Sequence, residues 1–495
     1  MTSIKIKRNR QTFVCDPRRV IAKYLNLGSG TREKGIIGRI LSLPGADCKV
    51  LLDEVLEEFS GRHRAIREIL LSNFTRVKHH LENPDELSPE RRLLIGAYFT
   101  HEYSVESTAL FNPSIVPHVD QSGLPSGSLR FIMSLRAIGE GHVSSIVFRS
   151  GVINRENHIL MDPLSHFLEM PRVELNPVYD VHTFLLKLKE MGVLNEPSQA
   201  IFNKLPKRFH YRQLMECIKK EKALHSKDLS FTETARIIEW IAQSNYEETF
   251  REESLLSERV IFPVSRDESK GIEDARFVKF TDDDGEVIYF ATYTAYNGNS
   301  ILPMLIETRD FISFRMCTLN GKAAIGKGMA LFPRKINGKY TIISRQDGEN
   351  LFIMQSDNLH FWDEKELLKV PEETWELLLV GNCGSPIETE HGWILLTHGV
   401  GPMRKYCIGV VLLDLDDPSK IIGRLRDPLI FPREDEREGY VPNVVYTCGA
   451  LIHNGELIIP YAVSDTSSGI ATVKLENLIQ GMVRSEIPRG ISPLL

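Results

Sequence analysis

Glu273, Asp274 and Arg276 stand together in Glu-Ser-Lys-Gly-Ile-Glu-Asp-Ala-Arg (268–276), where a strand-like run begins. A carboxylate beside a guanidinium is either a structural ion pair or an acid whose proton affinity is tuned by its neighbour. The residues that follow favour the tuned acid, because they write the edge of a repeated unit.

Phe277 to Phe280 runs into the turn Thr281-Asp282-Asp283-Asp284-Gly285, and Val287 to Ala291 opens the return strand, which is how a hairpin is written. Ile301 to Glu307 predicts a third strand, closed by Thr308-Arg309-Asp310-Phe311. The same grammar returns at Ala330-Leu331-Phe332 with Asn337-Gly338, Tyr340 to Ser344 and Leu351 to Gln355, and again at Gly392 to Leu396 with Tyr406 to Asp414. It recurs at Cys448 to Ala450 with Asn454-Gly455, and an earlier copy lies at Phe111 to Ile115, Leu129 to Leu135 and Val143 to Phe148. Units of about four short strands, recurring at roughly 50 to 60 residues, predict an all-β five-bladed β-propeller with a central pocket. A β-sandwich has similar strand spacing, but would not explain aspartate-led endings at similar places in successive units.

Two segments break this grammar. Leu52, Val55, Leu56 and Phe59, then Ile66, Ile69, Leu70, Phe74 and Val77, follow helical spacing, and Ser88-Pro89-Glu90 reads as a cap before a helix from Pro89 to about Tyr98. Helical periodicity also fills roughly 181–247. The expected organisation is an α-helical N-terminal region over 1–104, a propeller over 105–480 carrying a helical insertion at about 181–247, and a tail over 481–495. The two helical parts are expected to pack together on one face, as scaffolding, as a homo-oligomer contact or as a lid.

A 495-residue chain with 42% hydrophobic and 25% charged residues is ordinary for a globular protein, and a net charge of −6 speaks against a general nucleic-acid binder. No apolar run is long enough to span a membrane, and the basic start lacks the apolar core of a secretory signal, so cytoplasm is the expected location. Seven cysteines without Cys-x-x-Cys spacing suggest neither a disulfide framework nor a zinc site. Gly139 to His142 lacks the strand, loop and helix setting of a phosphate loop.

Five ordered motifs resemble glycoside hydrolase family 130: residues 268–276, Leu-Phe-Pro-Arg-Lys-Ile-Asn-Gly-Lys-Tyr (331–340), Gly-Ser-Pro-Ile-Glu-Thr-Glu-His-Gly-Trp (384–393), 412–424, and Val-Pro-Asn-Val-Val-Tyr-Thr-Cys-Gly-Ala (441–450). The resemblance covers about 105–480. It implies a five-bladed propeller acting on β-mannosides, mostly by inverting phosphorolysis and in some branches by hydrolysis.

Inversion needs a group that protonates the departing oxygen and a nucleophile from the opposite sugar face. Asp274 is the expected acid, and the resemblance implies that it acts through a hydroxyl of the bound mannose. Phosphate needs no general base; it needs fixed charge and donors. The family's motif positions for these are Lys327, Arg345 and His398. Asn112, Arg136, Glu273 and Asp465, at strand ends, with Arg276 beside the acid, are expected to hold the sugar; Tyr296, Trp362 or Tyr440 are candidate stacking partners.

Thr397-His398-Gly399 stands where the family has Tyr-His-Gly, and Gln346 to Asn350 departs from its usual proline-containing continuation. The acidic Asp347 and Glu349 there keep water open as the nucleophile, with Glu349 or Glu388 as base. The expected activity is phosphorolysis of a β-mannoside oligosaccharide by inorganic phosphate, giving α-mannose 1-phosphate without metal or organic cofactor. The alternatives are an inverting β-mannosidase and a non-catalytic carbohydrate-binding propeller.

Overall fold

The computed structural model describes residues 4–175, 178–225 and 228–484, and over these the chain is dominated by antiparallel strands. Their order follows from the turn chemistry. Asn337-Gly338 and Asn454-Gly455 take positive φ at both positions, the geometry that closes a tight hairpin without splaying its strands.

Five sheet units succeed one another. The first pairs Ala109–Pro117, Leu129–Ile138, Ser144–Ile153 and Ile159–Met161, and the second pairs Gly271–Thr281, Val287–Tyr296, Ile301–Thr308 and Ser313–Thr318. A parallel register contact at Gly271 and Ser144 ties these two together. The third contains Ala330–Leu331, Tyr340–Ser344, Leu351–Ser356 and Glu366–Lys369; the fourth Leu379–Asn382, Gly392–Gly401, Lys405–Leu413 and Ile421–Arg424. The fifth joins Val445–Tyr446, Glu456–Val463 and Ser467–Lys474, and its outer strand is Lys7–Phe13 from the opposite end of the chain.

Consecutive units share apolar clusters. Val116 and Ile132 of the first pack with Ile272 and Ala291 of the second, and Phe280 and Phe290 of the second with Ile342 and Met354 of the third. Ile343 meets Leu395 between the third and fourth, Ile394 meets Ile459 between the fourth and fifth, and Leu451 and Ile458 of the fifth meet Ile115 and Met133 of the first. Strand Gly392–Gly401 is buried along its whole length, which explains its unbroken apolar run around His398.

Trp362, a stacking candidate from sequence, is fully buried in the core between the second and third units, its indole donating to the Leu359 carbonyl at 2.8 Å. It fills a core rather than meeting a sugar.

The segment before residue 105 is not purely helical. Besides Lys7–Phe13 it contributes strand Val20–Tyr24, paired with Thr100–Ser104, around helices Gly30–Leu41, Gly45–Phe59, Ile66–Val77 and Pro89–Tyr98. The Ser88 hydroxyl caps the last helix by accepting from Arg91 N. Helices Val181–Glu190, Glu196–Phe202, Tyr211–Leu224 and Leu229–Gln243 fill the second segment, three of them capped by Asp180, Asn195 and Asp228. Its end, Tyr246–Thr249, is already a strand of the second sheet. Each helical group buries its own apolar cluster. Of the expected tail, Val483–Arg484 pairs with Ile421–Arg424, and 485–495 lie outside the described residues.

Candidate active site

Asp274 sits in a β-bulge. Glu273 pairs with Thr294 and Arg276 with Thr292, so Asp274 and Ala275 together face one partner, and Asp274 takes φ +53°. A second bulge between Phe111 and Ser114 puts Asn112 at φ +48°. The two irregularities aim their side chains at each other: Asn112 Nδ2 donates to Asp274 Oδ1 at 2.6 Å. Left-handed backbone at non-glycine residues is held only where its surroundings over-determine it, and this pairing is such a constraint.

Arg136 crosses between the acids, donating to Glu273 Oε1 at 2.8 Å and Asp274 Oδ1 at 3.3 Å, with its guanidinium carbon 5.2 Å from the Phe111 ring centre. Lys327 approaches Glu273 Oε2 at 3.7 Å and is half exposed. Burial pushes the Asp274 carboxyl up, but Arg136, Arg276, the Asn112 hydrogen bond and Lys327 together outweigh it and hold it below the usual aspartate range. Asp465, in a turn at φ +51°, moves the other way. Burial and the neighbouring Asp274 charge push it up to about 6, against the pull of Arg136 and Arg404. Two carboxyls in one site thus have proton affinities shifted in opposite directions.

Arg276 does not form the structural ion pair with the Asp274 carboxylate that is the alternative to a tuned acid. Its NH1 donates to the Asp274 backbone carbonyl at 3.1 Å, Nε to the Cys383 carbonyl at 2.6 Å and NH2 to the Tyr446 hydroxyl at 2.7 Å. It leads from the acid to a second cluster. There Arg345 NH1 donates to His398 Nε2 at 3.0 Å, and the imidazole lies against the rings of Tyr446 and Tyr406. Burial first, then Arg345 and Arg276, push His398 well below its ordinary range, so it is a neutral member of the cluster.

Glycine makes the cluster possible. A Cβ on Gly381 would lie 2.3 Å from His398 Cε1 and 2.9 Å from Arg345 Cδ, and Gly328, at φ +89°, faces Arg276 NH2 and Arg345 Nε at 3.8 Å. The surrounding polar atoms are unpaired: Arg345 Nε, His398 Nδ1 and both side-chain polar atoms of Asn382, which is 1% exposed. Buried polar atoms without partners in the protein can take them from water or from a bound group.

The structure therefore brings Asn112, Arg136, Glu273, Asp274, Arg276 and Asp465 into one neighbourhood, with Arg345 and His398 adjoining through Arg276 and Gly328. Lys327 stands between the two clusters, its amine toward Glu273 while the flanking Gly326 and Gly328 lie against Arg345. Asp347 caps its own turn, accepting from Glu349 N and Asn350 N, and Glu349 is exposed. Glu388 is held by a bidentate pair with Arg334 at 2.9 and 2.8 Å. Tyr296 donates to the Gly298 carbonyl, and Tyr440, 68% exposed, stacks near His142. Asn382, Arg404 and Gly328 escape a sequence reading, and Tyr446 lies within the 441–450 motif without any sign of its role. Among the described residues no group of three or more His, Cys, Asp or Glu side chains could hold a metal ion, and no helix is long and apolar enough to cross a membrane.

A family model described as beta-1,4-mannooligosaccharide phosphorylase matches residues 234–484. A 1,2-beta-oligomannan phosphorylase of Thermoanaerobacter sp. (strain X514) is 35% identical over 237 residues, covering 45% of this chain and 75% of its own. A beta-1,2-mannobiose phosphorylase of Listeria innocua is 27% identical over 363 residues, covering 70% of this chain and 94% of its own. The chain belongs to glycoside hydrolase family 130. It is an enzyme, in a family whose model and relatives are named as mannoside phosphorylases.

Proposed function

We propose that the protein cleaves β-mannosides by inverting phosphorolysis, releasing α-mannose 1-phosphate and a shortened acceptor. The observation that carries this reading is the buried set of unpaired donors around Arg345 and Asn382, continuous with the acid site through Arg276. The five sheet units are read as the blades of a propeller, spanning about 105–480, with the bulged strand ends at its centre. The shared cores between successive units, and between the fifth and the first, support that arrangement.

In this mechanism Asn112, Arg136, Glu273 and Asp465 hold the mannosyl hydroxyls. Arg276, Arg345, His398 and Asn382 hold phosphate, with Lys327 contributing charge from the acid side. A phosphate oxygen attacks the anomeric carbon as the glycosidic bond breaks, and the bond's electrons leave with the acceptor oxygen. Asp274 supplies the proton through a mannose hydroxyl, in keeping with the family resemblance. No metal or organic cofactor enters any step.

The charge layout couples the two substrates. Without phosphate, Arg276 helps hold Asp274 ionised. A bound dianion cancels part of that positive field and raises the proton affinity of Asp274, so the acid becomes competent when the nucleophile is present. Neither Glu349 nor Glu388 is disposed to activate water, which favours phosphate over hydrolysis. The relatives' names carry both β-1,2 and β-1,4 linkages. Incubation with β-1,2- and β-1,4-mannobiose, with and without inorganic phosphate, tests the reading: cleavage should depend on phosphate and yield α-mannose 1-phosphate. Equal cleavage in phosphate-free buffer, giving free mannose, would replace it with hydrolysis.

A further inference from the structure

The turn just before the acid-bearing strand makes contacts that the proposed mechanism leaves unused. Arg266–Glu268 is a single helical turn that presents two buried acids in succession, Asp267 and Glu268. Glu268 is met from three directions. Val264 N and Ser265 N donate to Oε2 at 3.0 and 2.8 Å, the Tyr246 hydroxyl spans both oxygens at 2.9 and 3.0 Å, and the Tyr293 hydroxyl donates to Oε1 at 2.7 Å. Asp267 is met by the end of the inserted helix Leu229–Gln243. Trp240 Nε1 donates to Oδ1 at 3.3 Å, and the Ser244 hydroxyl, which also reaches the Trp240 carbonyl at 3.0 Å, lies 2.9 Å from Oδ2.

Glu248 is the other carboxyl of this core. It is fully buried and neither of its oxygens has a partner; burial first, then the Glu268 charge, push it well above the ordinary glutamate range. Neighbouring carboxyls in an apolar core do not carry charge together. Glu268 has the donors, so Glu248 is the one that stays protonated.

Tyr293 is also the residue that the bulge straddles. Glu273 pairs with Thr294 and Arg276 with Thr292, which leaves Asp274 and Ala275 opposite Tyr293. Ala275, Ile272, Tyr246 and Tyr293 share one apolar cluster, so the buried side of the bulge and the two phenols sit in the same core. Between the turn and the bulge the chain has little slack. Lys270 N donates to the Tyr296 carbonyl at 2.9 Å, and Gly271, at φ +138°, is pressed against Ser144, whose Oγ would lie 2.1 Å from a Cβ placed there.

We infer that the Asp267–Glu268 turn is a positioning junction, through which the inserted helices hold the bulge that aims Asp274 at Asn112. Glu268 fixes Tyr293 and with it the strand opposite the bulge; Asp267 ties the same turn to Trp240 and Ser244 at the end of the insertion. Asp267, Glu268 and Tyr293 are positioning residues, acting through Asp274. The inference rests on Asp274 as the acid proposed above, and holds for either nucleophile.

Tyr293→Phe keeps the ring and removes the hydroxyl that reaches Glu268. It should lower kcat for β-mannoside cleavage by about 10- to 100-fold and change KM for phosphate by less than about twofold, the split expected of a misaimed acid. Trp240→Phe with Ser244→Ala, which frees Asp267, should act in the same direction and by less. In an Asn112→Gly background, where left-handed backbone is still allowed but the partner of Asp274 is gone, Tyr293→Phe should cost less than about threefold. A general structural defect would cost the same in both backgrounds. Hydrogen exchange, which needs no turnover, should be faster in Tyr293→Phe across Gly271–Thr281 and unchanged across Gly392–Gly401. An unchanged kcat in Tyr293→Phe, an equal cost in the two backgrounds, or unchanged exchange across Gly271–Thr281 would overturn the inference. Should Asp274→Asn keep its rate, the acid assignment fails instead, and the exchange result still decides whether the turn holds the bulge.

Discussion

The two halves of the active site are built on opposite principles. On the acid side, Glu273, Asp274 and Asp465 are matched by Arg136 and Lys327, with Arg404 adding to the field at Asp465. On the other side, Arg276 and Arg345 make no ion pair with a carboxylate among the described residues; they lean on carbonyls, a phenol and a neutral imidazole. In the first half the charges are matched, although Asn112 Oδ1 and Arg136 Nε lack partners, whereas in the second the guanidiniums have no carboxylate partner. Two guanidiniums without a direct carboxylate partner in one cluster are the feature on which the proposed phosphate site rests.

Four experiments sharpen or break this contrast. The largest effect belongs to Asp274→Asn, which should lower kcat by about 10³-fold or more while the circular dichroism spectrum and melting stay close to wild type. A rate within tenfold of wild type would remove Asp274 from its role. Arg345→Ala should raise KM for phosphate by about 10- to 100-fold, as expected for a lost charge-assisted hydrogen bond, and change mannoside KM far less. The reverse split would mean that the cationic half binds sugar. Asn382→Ala should weaken phosphate by a smaller factor, about 3- to 10-fold, again read as KM for phosphate against KM for mannoside.

The smallest effect concerns Asp465. Its folded proton affinity is raised, so the protonated form stabilises the fold at acidic pH, and that contribution is lost as pH rises from about 4 through about 6. Asp465→Asn should therefore gain stability relative to wild type across this window, by about 1–2 kcal/mol, measured by denaturant unfolding at pH 4.5 and 7.5. A difference that does not change with pH would show that the two carboxyls do not share one field.

Much of this was legible beforehand, and the reasons differ by residue. Hairpins announced by Asn-Gly and the helix Pro89–Tyr98 announced by Ser-Pro were readable because local turn and capping chemistry fixes them. Asp274 and Asn112 were readable as candidates, but not as partners, since their meeting depends on two bulges whose register only the paired sheets set. Trp362 misled because an aromatic residue after a strand looks the same in sequence whether it faces a ligand or a core. Helix Gly30–Leu41 was missed, its three glycines and charged residues hiding the few buried positions Ile37 and Ile40. Asn382 was invisible, because nothing local tells a buried amide with idle atoms from one already satisfied.

The strand Lys7–Phe13 sets a condition on how this enzyme comes into being. It aligns Lys7 with Thr472 and Phe13 with Ser468, against the same strand whose preceding turn presents Asp465. Strand Lys7–Phe13 leaves the ribosome long before Ser467–Lys474 and must stay unmatched until that strand is made, a contact of very high sequence separation and hence slow to form. A nascent chain stalled before about residue 470 would carry every other sheet and still lack the clasp behind its final carboxylate.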